Sequence, residues 1–267
     1  MVEVREAMQH EHSVICLARR RRALHEDLKI YANNRPQSEI IPSDADLYML
    51  EPFRAVFDAP LPEDFWTEQA NFKAAIDELP TLSKQWRDSC LRSLLPMLPL
   101  SDISFRPNTR DGPVNAAPEL APLELATNLF TCQYRLCPDF GRDRVFTAEN
   151  LLAHPCMKET LVYTDGDDNR LPYHRAMECA PWNCGGNRIA FHAEASALAA
   201  ELVKLCHLDL TTTTTAAMDE LGARFECHDC PGPEGTLAMD WRSVVSRWSL
   251  FRTRIFLTQT RDRLNTW

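Results

Sequence analysis

Phe130-Thr-Cys132-Gln-Tyr-Arg-Leu-Cys137, followed by Phe146 and then by Asn150-Leu-Leu-Ala-His-Pro-Cys156, is the stretch that decides how this chain folds. Zinc is bound by four soft or borderline ligands in a tetrahedron; a cysteine pair on a β-turn supplies two of them and a following helix supplies the others from one face. Phe146, Leu151 and His154 stand where a Cys-Cys-His-His finger has its hydrophobic residues and first histidine. The pattern predicts a hairpin and a helix, with His154 on the last turn, Pro155 ending the helix and Cys156 just beyond it. Cys132, Cys137, His154 and Cys156 are therefore the candidate ligands of a first zinc site. His154 and Cys156 have one residue between them, whereas ordinary fingers have roughly three to five. The competing reading is a small hairpin–helix with buried free cysteines and a surface histidine; zinc is the preferred one. His174 and Cys179 stand as alternative donors.

A second copy follows. Phe225-Glu-Cys227-x2-Cys230 repeats the aromatic-x-Cys opening, and Met239-Asp-Trp-Arg-Ser-Val-Val-Ser-Arg247 parallels Phe146-Thr-Ala-Glu-Asn-Leu-Leu-Ala-His154. Val244 and Val245 fall where Leu151 and Leu152 stand, but Arg247 takes the place of the histidine and cannot ligate zinc. Cys227 and Cys230 form a site only if His228, His192, Cys206 or His207 completes it, and a degenerate, metal-free copy is the preferred reading. Cys179-x4-Cys184, set among Pro181, Trp182, Gly185 and Gly186, reads as a packed loop anchored by Trp182.

Around these motifs the chain has 267 residues, with 45% apolar and 25% charged residues, the balance of a globular protein. It has 8 glycines, the first at Gly112, and no GxGxxG, GxxxxGK[ST] or GxSxG, which removes Rossmann, P-loop and α/β-hydrolase readings. The net charge of −9 opposes binding to phosphate backbones, although Trp241–Trp267 carries six arginines against Asp262 alone. The positions of the first helix that would face bases, Thr147, Asn150 and Ala153, include neither arginine nor lysine. No apolar run approaches the length of a membrane span, and the N-terminus lacks the order of a secretory signal. The expected compartment is intracellular, cytoplasmic or nuclear, where ten cysteines serve as thiols or ligands rather than disulfides.

Helices are expected to about Arg35, over Leu61–Leu79 opened by Pro62, from an N-cap at Thr81 through Leu95, over Ile189–Leu208, over Ala216–Leu221, and from Asp240 to about Leu257. Pro96–Pro122 reads as a loop or linker and Asp165–Arg170 as an exposed acidic loop. The expected fold is mainly α (α+β): a helical, proline-punctuated region over residues 1–122, then a cysteine-rich region over 123–267 with two zinc-finger-like ββα segments, about 128–157 and 223–257.

Catalytic patterns are weak. His192-Ala-Glu194 supplies half of a zinc-deaminase signature, but Cys227 is not preceded by proline, so the match reads as chance.

Leu125–Cys132, Leu151–Cys156, Ala216–Cys227 and Ala238–Val245 resemble segments of a large group of basidiomycete fungal proteins, many of them F-box-containing or F-box-like. Ser43–Leu47 with Pro52-Phe-Arg54 resembles their middle region. Where that group has an F-box, the resemblance implies docking to a ubiquitin-ligase adaptor. In this chain only 25 positions separate Leu61 from Trp86, too few for the usual three-helix module. The expectation is a non-enzymatic, zinc-stabilised interaction or adaptor protein with a protein partner and no small-molecule substrate. A zinc-dependent nucleic-acid-binding regulator is the alternative, and a zinc hydrolase or deaminase the weaker one.

Overall fold

The computed structural model describes residues 2–36, 39–60, 70–99, 118–135, 137, 145–158, 177–232, 235–248 and 257–260; for 2–10, 227–232, 235–237, 248 and 257–260 it describes the backbone alone. The fold is mainly α with small antiparallel sheets, as expected. It divides into two compact units, Met1–Cys90 with Leu152–Gly186, and Leu91–Leu151 with Asn187–Trp267.

The first unit is helical. Helix α1 spans Val2–Asn33, α2 Asp44–Tyr48, α3 Glu51–Phe57 and α4 Lys73–Arg92, whose last two residues pass into the second unit. Leu24, Leu47, Phe53, Phe57, Phe72, Leu79 and Met177 form its core. The rings of Phe57 and Phe72 lie 5.0 Å apart, a spacing that adds to plain burial. Buried Arg20 of α1 donates to the carbonyls of Phe57 (2.6 Å) and Ala59 (2.8 Å), placing a cation on unsatisfied oxygens at the C-terminal end of α3. Ser43 and Asp46 form a reciprocal capping box at the start of α2. The other carboxylate oxygen of Asp46 accepts the amide of Trp182 at 2.8 Å, so one buried acid organises both the helix and a distant loop.

Two helix expectations need correction here. Thr81 does not cap a second helix: α4 runs through Pro80 without a break. A proline inside a helix removes one backbone bond and costs about 3 kcal/mol in isolation. Ala75, Leu79, Ser83, Trp86 and Cys90 recur at helical spacing and are all buried, and that continuous packed face offsets the cost. The helix starts after Asn71, whose side chain accepts the amide of Lys73 at 2.9 Å; the 61–69 part of the expected helix lies outside the described residues.

The second unit holds two three-stranded sheets. Strands β1 (Phe130–Cys132), β2 (Val145–Phe146) and β3 (Ile189–Phe191) form one, in the order β2-β1-β3, with helix α5 (Ala148–Ala153) after β2. Helices α6 (Ala193–Leu205) and α7 (Thr215–Leu221) follow. Strands β4 (Arg224–Gly232), β5 (Gly235–Met239) and β6 (Leu257–Thr260) form the other sheet, in the order β5-β4-β6, with helix α8 (Trp241–Trp248) after β5. The core joins Ala199, Leu202 and Val203 of α6 to Met218, Phe225, Trp241, Val244 and Val245.

Ile189–Phe191 is therefore a strand rather than the first turn of a helix, because Ile189 and Phe191 pair opposite Cys132 and Phe130 and satisfy that edge of β1. Likewise Leu257 lies in β6, paired with Cys227, rather than at the end of a long final helix. Thr214 caps α7 through Ala217 and Gly222 ends it at φ 61, a left-handed conformation that glycine adopts without a Cβ penalty. The expected Pro96–Pro122 loop carries short 3-10 helices at Leu95–Met97 and Pro118–Glu124. Residues 100–117 and the acidic Asp165–Arg170 loop lie outside the described residues.

Candidate metal centre

Cys132 closes β1, and the chain turns at once. The amide of Cys137 donates to the carbonyl of Tyr134 at 3.1 Å, the hydrogen bond of the expected β-turn. The amide of Tyr134 reaches the Sγ of Cys132 at 3.4 Å, and such an N–H···S contact stabilises sulfur in its anionic form. Opposite, the amide of Gln133 donates to the carbonyl of Arg188 at 2.7 Å, and the Arg188 guanidinium lies over the Tyr134 ring at 5.6 Å. The turn that carries both thiols is thus held from its backbone and from its side chain by one arginine beside β3.

The other two donors come from the far end of α5. Buried Thr147 accepts the amide of Asn150 at 3.3 Å and starts the helix, and Leu151 and Leu152 bury its inner face. The helix stops at Ala153, one residue sooner than expected. His154 is extended (φ −66, ψ 123), because a residue that precedes proline is driven out of the α region by the ring. Pro155–Met157 then forms a 3-10 turn that brings Cys156 back. This explains why one intervening residue suffices. Two positions apart on an α-helix point about 200° from each other, whereas the extended His154 and the tight turn after it let both side chains face one point. Downstream, the amides of Ala180 and Asn183 bond the carbonyls of Lys158 and Met157 at 2.9 Å each and fasten the chain just after the site.

Cys132, Cys137, His154 and Cys156 each offer one ligand atom, and the four atoms all lie within 4.8 Å of one another. Their residues are 1, 2, 4 and 0% exposed. A tetrahedron with metal–sulfur distances of about 2.3 Å has sulfur–sulfur edges of about 3.8 Å, so a small contraction of this cluster closes it around an ion. The group could hold a metal ion, and it is built entirely from one continuous stretch, Cys132–Cys156.

Among the described residues, no further candidate joins it. Cys179 and Cys184 are half-buried, and Trp182 anchors their loop as expected. His192 accepts the amide of Ala195 on Nδ1 at 3.3 Å and caps α6, and burial pulls its imidazole below the ordinary value. Cys227 and Cys230 lie on β4, where only the backbone is described, and His174 lies outside the described residues. Among the described residues, no helix is long and apolar enough to cross a membrane. Two contributors escaped the sequence reading: Tyr134, through its amide, and Arg188, far along the chain, which only the pairing of β1 with β3 brings beside the turn. No family model, no curated protein and no solved structure matches this chain.

Proposed function

We propose that Cys132, Cys137, His154 and Cys156 bind one zinc ion as a structural centre, and that the protein is a non-enzymatic interaction or adaptor protein. The convergence of four buried donors within 4.8 Å carries the reading. Three thiolates and an imidazole are a soft set suited to zinc. Four protein donors complete the coordination of a structural site, whereas a catalytic zinc keeps a position open for water or substrate. The His192 half of the deaminase pattern is occupied as a helix cap, which weighs against that alternative.

A groove-reading finger is less well supported. Helix α5 has six residues, and Thr147 is buried as its cap and so does not face outward. With a net charge of −9, a protein partner is the better match, in keeping with the resemblance to F-box-like fungal proteins. The test is elemental analysis of the full chain purified without added metal, beside Cys132→Ser. One zinc per chain is expected, with the ion lost and stability lowered by more than about 4 kcal/mol in the variant, the range reserved for losses such as a structural metal. A folded chain without zinc would overturn the reading.

A further inference from the structure

We infer that residues 130–191 and 225–260 are two copies of one strand–strand–helix–strand module, the first closed by a metal ion and the second by a metal-free clasp on Asp219. The metal half of this inference rests on the zinc reading above.

The two sheets have the same topology. In each, the middle strand comes first in the chain, its hairpin partner second, and the third strand returns on the other side after a helix. Their registers match as well. Phe130 lies opposite Phe146 on one side and Phe191 on the other, and Phe225 lies opposite Met239 and Gln259. Cys132 faces Ile189 as Cys227 faces Leu257. Each helix begins with a side-chain cap right after the second strand: Thr147 to the amide of Asn150, and Asp240 to that of Ser243 at 2.7 Å. Each then buries a pair of aliphatic residues at the same distance from its cap, Leu151 with Leu152 and Val244 with Val245. Strand pairing, cap and buried pair are three independent coincidences.

The copies diverge where the ligands stand. Counting from the caps, Arg247, Trp248 and Ser249 occupy the places of His154, Pro155 and Cys156. Arg247 is exposed and still helical, whereas its counterpart is buried and extended. Without a proline after it, Arg247 keeps its helical geometry in α8, whereas Pro155 drives His154 out of the helix. The second copy is fastened at the opposite end of its helix. Trp241 and Arg242 replace Ala148 and Glu149, and the carboxylate of Asp219 on α7 accepts Trp241 Nε1 at 2.8 Å and Arg242 Nε and Nη2 at 2.9 and 2.7 Å. The guanidinium of Arg242 also lies over the Trp241 ring at 4.8 Å.

Metal content and thermal unfolding of the full chain, of Cys227→Ser/Cys230→Ser and of Asp219→Ala test the assignment together. The unaltered chain and the double variant are expected to hold one zinc each. Asp219→Ala is expected to keep its zinc and to unfold about 2–4 °C lower, the shift typical of losing a single modest contact in a chain of this size. Two ions per chain, or an ion lost from the double variant, would overturn the metal-free second copy while leaving the first site standing. An unchanged midpoint in Asp219→Ala would overturn the clasp. No ion in the unaltered chain would overturn the zinc reading itself, and the metal half of this inference with it.

Discussion

Side chains of one chemical type serve opposite ends in this protein. Cys90, on the buried face of α4, has its thiol pushed up to about 12, by burial first and by the nearby Asp46 carboxylate second. Cys16 is equally enclosed. Both pack as small hydrophobes, and Cys90 presents almost no thiolate to a reagent. Cys132, Cys137 and Cys156 are just as buried but converge on one another and on a histidine. The distinction predicts a labelling pattern. In the native, metal-loaded protein, iodoacetamide is expected to spare all five of these cysteines. After chelation it is expected to modify Cys132, Cys137 and Cys156 while Cys16 and Cys90 stay protected, as read by peptide mass spectrometry. Ligand types and their spacing were visible in the sequence; the buried state that separates ligand from packing thiol was not.

Among the helices and strands, caps and breakers were the legible signals. Asp240 caps the helix expected to begin at it, and Pro155 follows closely on the end of α5. Pro80 and Ile189 mislead, because a packed face and a strand partner override the local signal in each case. Helix α6 makes a pH-dependent prediction. His192 caps it through an unprotonated Nδ1, and burial lowers its folded-state value below the ordinary 6.5. A depressed base favours the folded state fully above the unfolded value, and that contribution is lost as pH falls below 6.5 through the folded value. His192→Asn keeps an acceptor that does not titrate. It is expected to stay within about 1 kcal/mol of the parent at neutral pH, the scale of one helix cap, and to lose less stability between about pH 7 and pH 5, the window in which imidazole titrates. Urea unfolding at the two pH values reads the difference, and the candidate metal ligands, common to both proteins, cancel.

For the molecule taken whole, charge and folding pattern bear on function together. A net charge of −9 opposes phosphate backbones, and the arginines after Trp241 are partly engaged, Arg242 with Asp219. Fluorescence anisotropy with DNA and RNA oligonucleotides at about 0.15 M salt, where the screening length is about 8 Å, is expected to register no association. Binding that weakens steeply with salt would instead favour the regulator reading. The two-copy arrangement was half legible: the aromatic-x-Cys opening and the hydrophobic pair repeat in sequence, but the third strand of each copy does not. Ile189–Phe191 and Leu257–Thr260 share no motif, and only pairing with β1 and β4 relates them.

The mainly helical class, the identity of the four candidate ligands and the hairpin–helix that presents them could all be read from the chain, because they depend on residue type and on spacing along a short stretch. Three outcomes needed the folded molecule: His154 leaves the helix to face the site with Cys156, α4 continues through Pro80, and Arg188 and Asp219 secure segments far from them in sequence. Those outcomes turn on which surfaces are buried together and which backbone edges find partners, quantities that belong to contacts between distant residues and leave no periodic trace along the chain.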